Sequence, residues 1–138
     1  AMGLGVAHAA MAEAVRYAAE RKQFGKPINR YQAIQMKLAE MATELEAAEH
    51  LVYYAAWLRD AGKPYHKHAA MAKLFATEAA QRVVDRSLQL HGGSGLITGS
   101  PIERLYRDVR ALRIYEGTSE IQKLIIARSL LTQAKALS

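Results

Sequence analysis

The sequence predicts an all-α fold, an antiparallel four-helix bundle with one additional short helix. Three observations support this prediction. Helix-forming residues dominate the 138-residue chain, which is 51% hydrophobic and has only 3 Pro and 9 Gly. Apolar residues recur at spacings of three and four over long segments. Brief Gly- or Pro-containing connections separate these segments, which favours antiparallel neighbours. We expect a single domain spanning residues 1–138.

The first two helices are defined by apolar spacing and by the breaks that follow them. Helix one is predicted from Met2 to about Lys22, before the FGKPI segment, with Val6, Ala10, Ala14 and Tyr17 on one face. Helix two, between Gln32 and Ala61, has the strongest periodicity in the chain. Its apolar positions form the seam expected of a bundle, namely Ile34, Leu38, Met41, Leu45, Ala48, Val52, Ala55 and Leu58.

The remaining helices are marked by glycine stops and capping boxes. Helix three is predicted from His66 to His91, with a buried side of Ala72, Ala76, Ala79, Val83 and Leu90. A capping box in the segment Ser100-Pro101-Ile102-Glu103 predicts the start of the short helix. A second box, Ser119-Glu120-Ile121-Gln122, predicts the last helix, with buried residues Ile121, Leu124, Ile125, Leu131 and Ala134. We find no strand pattern.

Composition excludes several classes of function. With 0 Cys, the chain has no disulfide, thiolate metal site or cysteine nucleophile. No apolar run approaches the roughly 20 residues of a membrane span, and no secretory signal opens the sequence, so we expect a soluble, unexported chain. A ferritin-like di-metal bundle would need Glu-x-x-His pairs, and none of the 5 His belongs to one. We predict no metal site.

The net charge of +6 attracts polyanions without identifying which one. Arginines recur every three residues at Arg104, Arg107, Arg110 and Arg113, so the first and last point to opposite helix faces. Aromatic residues make up only 7%, and no helix-turn-helix signature is present. We therefore predict no nucleic-acid partner.

Three polar or glycine-rich segments interrupt the helical pattern, and such connections often carry functional residues. The first reads ERKQFGKPI from Glu20, followed by Gln32; the second reads QLHGGSG from Gln89; the third follows Arg107-Asp108 and reads IYEGTSEIQ from Ile114. Each segment alone is also explained by ordinary helix ends and caps. The glycine cluster is not a P-loop or dinucleotide fingerprint, because no strand precedes it and no Gly-Lys-Ser/Thr follows it.

Taken together and in this order, the three segments resemble acyl-CoA dehydrogenases. The resemblance covers essentially the whole chain but only one of that family's three domains, the C-terminal helical one. The N-terminal helical and middle β domains are absent. It implies an FAD-dependent oxidoreductase of fatty acid β-oxidation that converts acyl-CoA to trans-2-enoyl-CoA, although we expect the isolated chain to be inactive. An alternative is a structural or oligomerisation module without catalysis.

The resemblance also implies partners and a location. Members of the family are commonly homodimers or homotetramers, and electron-transferring flavoprotein is their usual electron acceptor. A bacterial cytoplasm or a mitochondrial matrix is the expected location. We also expect the domain to self-associate, with the seam of helix two extending across a subunit boundary.

Individual residues acquire roles from the same resemblance. Glu116 matches the carboxylate base that removes the α-proton of the thioester while the β-hydrogen leaves to the flavin. The Glu116 N–H and a flavin hydroxyl would hold the thioester oxygen, and Tyr115 and Gly117 would contact substrate. The implied FAD contacts are Arg21, Gln23, Phe24, Gln89, Gly92, Gly93, Thr118 and Glu120. The Arg21 segment is expected to contact mainly the FAD of an adjacent subunit, where a guanidinium suits a pyrophosphate.

Overall fold

The computed structural model of the chain describes residues 1–135 and contains five α-helices. They are α1 (Met2–Glu20), α2 (Gln32–Asp60), α3 (His66–His91), α4 (Pro101–Ala111) and α5 (Ser119–Lys135). Short 3-10 helices span Ile28–Arg30 and Gly92–Leu96. Four long helices and one short one confirm the predicted fold class; residues 136–138 of the predicted domain lie outside the described residues. No helix in the described part of the chain is long and apolar enough to cross a bilayer.

Helix α3 is the centre of the bundle and packs against each of the other four helices. α1 runs parallel to α3, since Ala10 near its middle accepts a hydrogen bond from Ser87 and Tyr17 near its end stacks on His91. α2 is antiparallel to α3, since Glu40 and Glu44 of α2 contact Arg86 and Arg82 of α3 in reverse order, and it is therefore antiparallel to α1 as well. α5 packs mainly against α3. This arrangement brings α3 into contact with the connection between α4 and α5, where Lys73 and Glu78 of α3 bond residues 113–119.

Small side chains bring α1 close to α3. Ala7, Ala10, Ala14 and Ala18 are all buried, which lets the two helix backbones approach. The buried Ser87 hydroxyl donates to the Ala10 carbonyl oxygen at 2.8 Å and fixes the register of the two helices. Larger buried side chains fill the rest of the core, chiefly Met41, Val83, Val84, Ile102 and Val109.

The seam predicted for helix two is confirmed. All of its eight apolar positions are buried or half-buried, and so are the five predicted on helix three. Facing α2 and α3 also share a surface ion pair, in which Glu44 accepts hydrogen bonds from Arg82 and Arg86 at 2.8 Å each. The register of α2 against α3 is therefore set by apolar packing, with ion pairs between the two helices at its edge.

The connection between α1 and α2 differs from the prediction. α1 ends at Glu20 rather than Lys22, and two-residue strands, β1 (Lys22–Gln23) and β2 (Lys26–Pro27), form a small antiparallel hairpin where no strand was predicted. Phe24 and Gly25 form its turn with φ of 49° and 83°, the left-handed pair that a two-residue hairpin turn requires. Strands this short leave no alternating pattern in the sequence.

The two predicted capping boxes are also wrong in detail. α4 begins at Pro101 as predicted, but the Ser100 side chain makes no capping hydrogen bond. At α5 the cap is Thr118, whose hydroxyl accepts from the Ile121 N–H at 3.4 Å. Ser119 is instead the first helical residue, and its buried hydroxyl donates to Glu78 of α3. The hydrogen bond from Ser119 to Glu78 of α3 thus replaces the capping bond that Ser119 was predicted to make within α5.

The predicted buried face of the last helix is wrong for this chain. α5 buries Ser119 and Gln122 against α3, whereas the apolar residues predicted to be buried are exposed, namely Ile121, Leu124, Ile125, Leu131 and Ala134. Their helical spacing was read correctly, but the described part of the chain supplies no surface that covers them. α5 therefore presents an uncovered apolar face.

Candidate functional site

The segment between α4 and α5, residues 112–118, is here called the Glu116 loop. Glu116 has φ of 55° and Gly117 has φ of 91°, so two consecutive residues are left-handed. For a residue with a side chain this conformation costs on the order of 1–3 kcal/mol and persists only where surrounding contacts enforce it. The residue predicted as the base thus has a strained backbone conformation, as is common at functional sites.

Two side chains hold the centre of the Glu116 loop through its carbonyl oxygens. The Lys73 ammonium of α3 donates to the Gly117 carbonyl oxygen at 2.6 Å. The buried Gln122 amide of α5 donates to the same oxygen at 3.2 Å and to the Glu116 carbonyl oxygen at 3.5 Å. A charged donor is roughly twice as strong as a neutral one, so Lys73 is the principal contact.

A carboxylate on α3 holds the two ends of the loop. One oxygen of Glu78 accepts from the Arg113 Nε at 2.9 Å and from the Ser119 hydroxyl at 2.7 Å. Partial burial alone would raise the pKa of Glu78, but hydrogen bonds from Ser119 and Arg113 and the charges of Arg113 and Arg82 outweigh it. The pKa of Glu78 therefore lies below its ordinary value, and the group is ionised near neutral pH.

The Glu116 side chain and backbone amide are available for a ligand. The side chain is exposed, and its N–H makes no hydrogen bond within residues 1–135. Beside it lies a pocket of about 270 Å³ lined by Tyr115, Lys73 and mainly small apolar residues of α1, α2 and α3. Carboxylate, free backbone donor and apolar pocket together fit a ligand that combines a polar reacting group with an apolar part.

Four of the predicted FAD contacts come together at a second place. Arg21, Gln23, Gly92 and Gly93 line a pocket of about 360 Å³ together with Tyr17, Ile28, Leu90, His91 and Ser94. Gln89 and Phe24 do not line it, although both are exposed and adjacent to residues that do. We call this the Arg21 pocket; it brings the first and second polar segments side by side.

The Arg21 pocket contains a pair of rings that the sequence did not suggest. Tyr17 stacks on the His91 ring with centroids 4.2 Å apart, and its hydroxyl donates to the His91 carbonyl oxygen at 3.3 Å. The Nδ1 of His91 contacts the Ser87 carbonyl oxygen at 2.7 Å, so it carries the proton when the ring is neutral. Tyr17 was read only as an apolar position of helix one.

The remaining predicted contacts lie with the Glu116 loop. Thr118 caps α5 through the hydrogen bond that its hydroxyl accepts from the Ile121 N–H. A hydrogen bond from its own backbone N–H and the one from Thr118 lower the pKa of Glu120. Both side chains therefore have local structural partners, and their predicted contacts to FAD stay predictions.

The chain does not bring the Glu116 loop and the Arg21 pocket together. Lys73 of α3 contacts the loop and Leu90 of α3 lines the pocket. At about 1.5 Å per residue these two positions lie roughly 26 Å apart along that helix. The two groups of predicted FAD contacts thus lie towards opposite ends of the bundle. Within residues 1–135, no group of three or more His, Cys, Asp and Glu side chains is positioned to hold a metal ion.

Sequence reasoning missed Lys73 and Glu78, which hold the Glu116 loop. Both are charged residues set among the buried alanines Ala72, Ala76 and Ala79 of α3. Charged side chains so close to a buried helix face are a weak signal that a polar partner lies nearby. Their partners lie more than 30 residues away, so spacing alone did not identify them.

The chain is similar to known proteins over nearly its whole length. The family model for the acyl-CoA dehydrogenase C-terminal domain matches residues 1–131. Benzylmalonyl-CoA dehydrogenase of Aromatoleum aromaticum is 59% identical over 130 residues, covering 94% of this chain and 34% of that protein. A subunit of the caffeyl-CoA reductase-Etf complex of Acetobacterium woodii is 50% identical over 128 residues, covering 93% of this chain and 34% of that protein.

A solved structure shows the same fold. Butyryl-CoA dehydrogenase from Megasphaera elsdenii superposes with a TM-score of 0.92 at 44% identity, covering 94% of this chain and 34% of that chain. The chain spans about one third of the length of the curated relatives described above. On the match of nearly its whole length, this chain belongs to the acyl-CoA dehydrogenase family and corresponds to that family's C-terminal domain.

Proposed function

We propose that the chain is the base-bearing, FAD-contacting domain of an enzyme that dehydrogenates acyl-CoA thioesters to trans-2-enoyl-CoA. The observation that carries the proposal is the Glu116 loop. The backbone of Glu116 is left-handed there, and Lys73, Gln122 and Glu78 hold the loop by hydrogen bonds. Since relatives of this chain are about three times as long, we propose that the complete activity needs the two domains absent here.

The chemistry assigned to this chain is a proton transfer. The Glu116 carboxylate takes the proton from the α-carbon of the thioester, and a double bond forms between the α- and β-carbons. FAD, when bound, accepts the β-hydrogen together with its electron pair. The free Glu116 N–H is aimed by the strained loop and donates to the thioester oxygen, where negative charge develops. The apolar pocket beside Glu116 supports a substrate with an apolar acyl part.

The residues of the Arg21 pocket fit a flavin adenine dinucleotide. The Arg21 guanidinium makes no side-chain hydrogen bond or ion pair within residues 1–135, so its donors are free for phosphate oxygens. A Cβ at Gly93 would meet nothing within 4 Å, so contacts within this chain do not explain the glycine. Close approach of a bound molecule would explain it. Phe24, 86% exposed, lies beside the pocket.

Assembly with a second copy is part of the proposal. The two groups of predicted FAD contacts lie towards opposite ends of the bundle, and the uncovered apolar face of α5 is suited to a subunit contact. We propose a homodimer or homotetramer in a bacterial cytoplasm or mitochondrial matrix. Electron-transferring flavoprotein is the proposed electron acceptor, supported by the relative that is a subunit of an Etf complex.

The direct test is Glu116→Gln in the full-length protein that carries this domain. FAD content should stay normal, because the amide keeps the size of the side chain. Reduction of the flavin by acyl-CoA, followed by its loss of visible absorbance in stopped flow, should slow by about 10²- to 10⁴-fold, the usual contribution of a general base.

A matched control is Glu103→Gln on α4, where the same change removes a surface ion pair with Arg107. This variant should reduce its flavin at the normal rate. If Glu116→Gln also bleached at the normal rate, Glu116 would not be the base and the proposal would fail. If neither variant bound FAD, the assignment of the cofactor would fail instead.

A further inference from the structure

The two ends of the Glu116 loop are joined by a backbone hydrogen bond and by a side chain of another helix. Arg113 lies near the start of the loop and Ser119 follows its end, and the Ser119 N–H donates to the Arg113 carbonyl oxygen at 3.3 Å. That backbone bond is long. A second link joins the same two residues through a side chain of another helix, because Glu78 bonds both.

The Glu78 link is built on rigid and largely buried groups. Glu78 lies in the interior of α3, and its side chain is only 26% exposed. Ser119 is 5% exposed and begins α5. The carboxylate is ionised near neutral pH, so both hydrogen bonds are charge-assisted and stronger than neutral ones. One oxygen thereby ties the end of α4 and the start of α5 to α3.

Lys73 and Gln122 contact a different part of the loop. They bond the carbonyl oxygens of Glu116 and Gly117 at its centre, whereas Glu78 fixes where the loop begins and ends. A loop held only at its centre is free to tilt about that point. Fixing both ends removes this freedom and sets the direction of the Glu116 carboxylate and N–H.

We infer that Glu78 is a positioning residue that aligns Glu116 by tying together the two ends of the Glu116 loop. This inference rests on the proposed role of Glu116 as the base. Glu78 does not touch substrate in this scheme; it acts through Arg113 and Ser119. Misplacement of a reacting group by about 1 Å is enough to lower a rate on the order of 100-fold.

The first arm of the test measures the loop itself, independently of catalysis. In the 138-residue chain, Glu78→Ala should make the Ser119 amide exchange with deuterium at least about tenfold faster, while amides in the middle of α1 and α2 keep their protection. Glu44→Ala is the matched control, because it removes another half-buried carboxylate that bonds two side chains. It should leave Ser119 exchange unchanged.

The second arm measures the consequence in the FAD-loaded full-length protein. Glu78→Ala should slow flavin reduction by acyl-CoA about 10- to 100-fold, while the acyl-CoA concentration at half-saturation changes less than about threefold. Glu78→Gln keeps an acceptor oxygen without the charge and should fall between wild type and Glu78→Ala. Glu44→Ala should behave as wild type.

The outcomes separate this inference from the proposed function. The positioning role is overturned if Glu78→Ala leaves Ser119 exchange unchanged. It is also overturned if Ser119 exchanges faster in Glu78→Ala but the flavin is reduced at the normal rate. In either case Glu116→Gln can still be inactive. A normal rate in Glu116→Gln overturns the base and the positioning role together. If Glu78→Ala does not fold, Ser119→Ala removes one of the two bonds and should show the same two effects at smaller size.

Discussion

Gly117 and Gly99 have nearly the same φ, 91° and 92°, but different surroundings. A Cβ at Gly99 would meet nothing within 4 Å. A Cβ at Gly117 would lie 2.6 Å from the Gln122 amide nitrogen, which is too close. The Gln122 side chain is able to move away, but only by giving up its hydrogen bond to the Gly117 carbonyl oxygen.

Alanine at these two positions should therefore differ in cost. Gly99→Ala is expected to destabilise the chain by about 1–2 kcal/mol, the strain of a left-handed alanine. Gly117→Ala should cost about 1 kcal/mol more, because a hydrogen bond is lost as well. Urea unfolding followed by circular dichroism measures both. Equal losses would show that the Gln122 contact contributes nothing to stability.

At the level of single residues, the sequence identified candidate site residues where they stand in short local motifs. Glu116 and the Arg21 segment stand in short polar connections, and their types and order carried the prediction of their roles. Lys73 and Glu78 were not identified because their significance depends on which loop packs against α3. The capping role of Ser119 was predicted wrongly for the same reason, since its hydroxyl bonds Glu78 rather than its own helix.

Among the elements, the contact between α1 and α3 depends on small side chains. Ala14 is fully buried where the two helices approach, whereas Ala12 on the same helix is exposed. Both are interior helical positions, so a change to leucine has the same small effect on helix propensity at either one. Any difference between them reports packing alone.

Ala14→Leu should destabilise the chain by about 1–3 kcal/mol, because the added carbons have no room without moving α1 away from α3. Ala12→Leu should change the free energy of unfolding by less than about 0.5 kcal/mol. Urea denaturation of the two variants checks this. A loss at Ala12 as large as at Ala14 would contradict close packing of α1 on α3.

Element boundaries were predictable where both spacing and terminators agree. α3 begins and ends where predicted, and α2 ends within one residue, because glycine or proline follows each helix. The hairpin after α1 was not predicted, since its strands contain two residues each and are stabilised by the Phe24-Gly25 turn. For α5 the spacing was correct, but its burial depends on neighbours that the sequence of one helix does not specify.

For the whole molecule, the two groups of proposed FAD contacts impose a geometric condition. The Glu116 loop and the Arg21 pocket lie roughly 26 Å apart along α3, so one chain does not place the two groups of proposed contacts side by side. The apolar face of α5 is uncovered as well. Packing of a second copy, or of another domain, against this one would account for both features.

Self-association of the 138-residue chain is expected to depend on α5. Exposed Leu124 and Leu131 are two turns apart on the same face of that helix, so Leu124→Glu with Leu131→Glu places two charges in the proposed contact. Light scattering at high concentration should give more than the 15.3 kDa monomer mass for the wild-type chain and the monomer mass for the double variant.

Val15→Glu is the control for this experiment, because Val15 is also an exposed apolar residue, on α1, at 48% exposure. It should leave the wild-type mass unchanged, and the helical circular dichroism signal of all three proteins should agree. If the wild-type chain is a monomer at high concentration, α5 does not join copies of this domain. Its apolar face would then need another partner, since an apolar stripe this long is costly to leave in water.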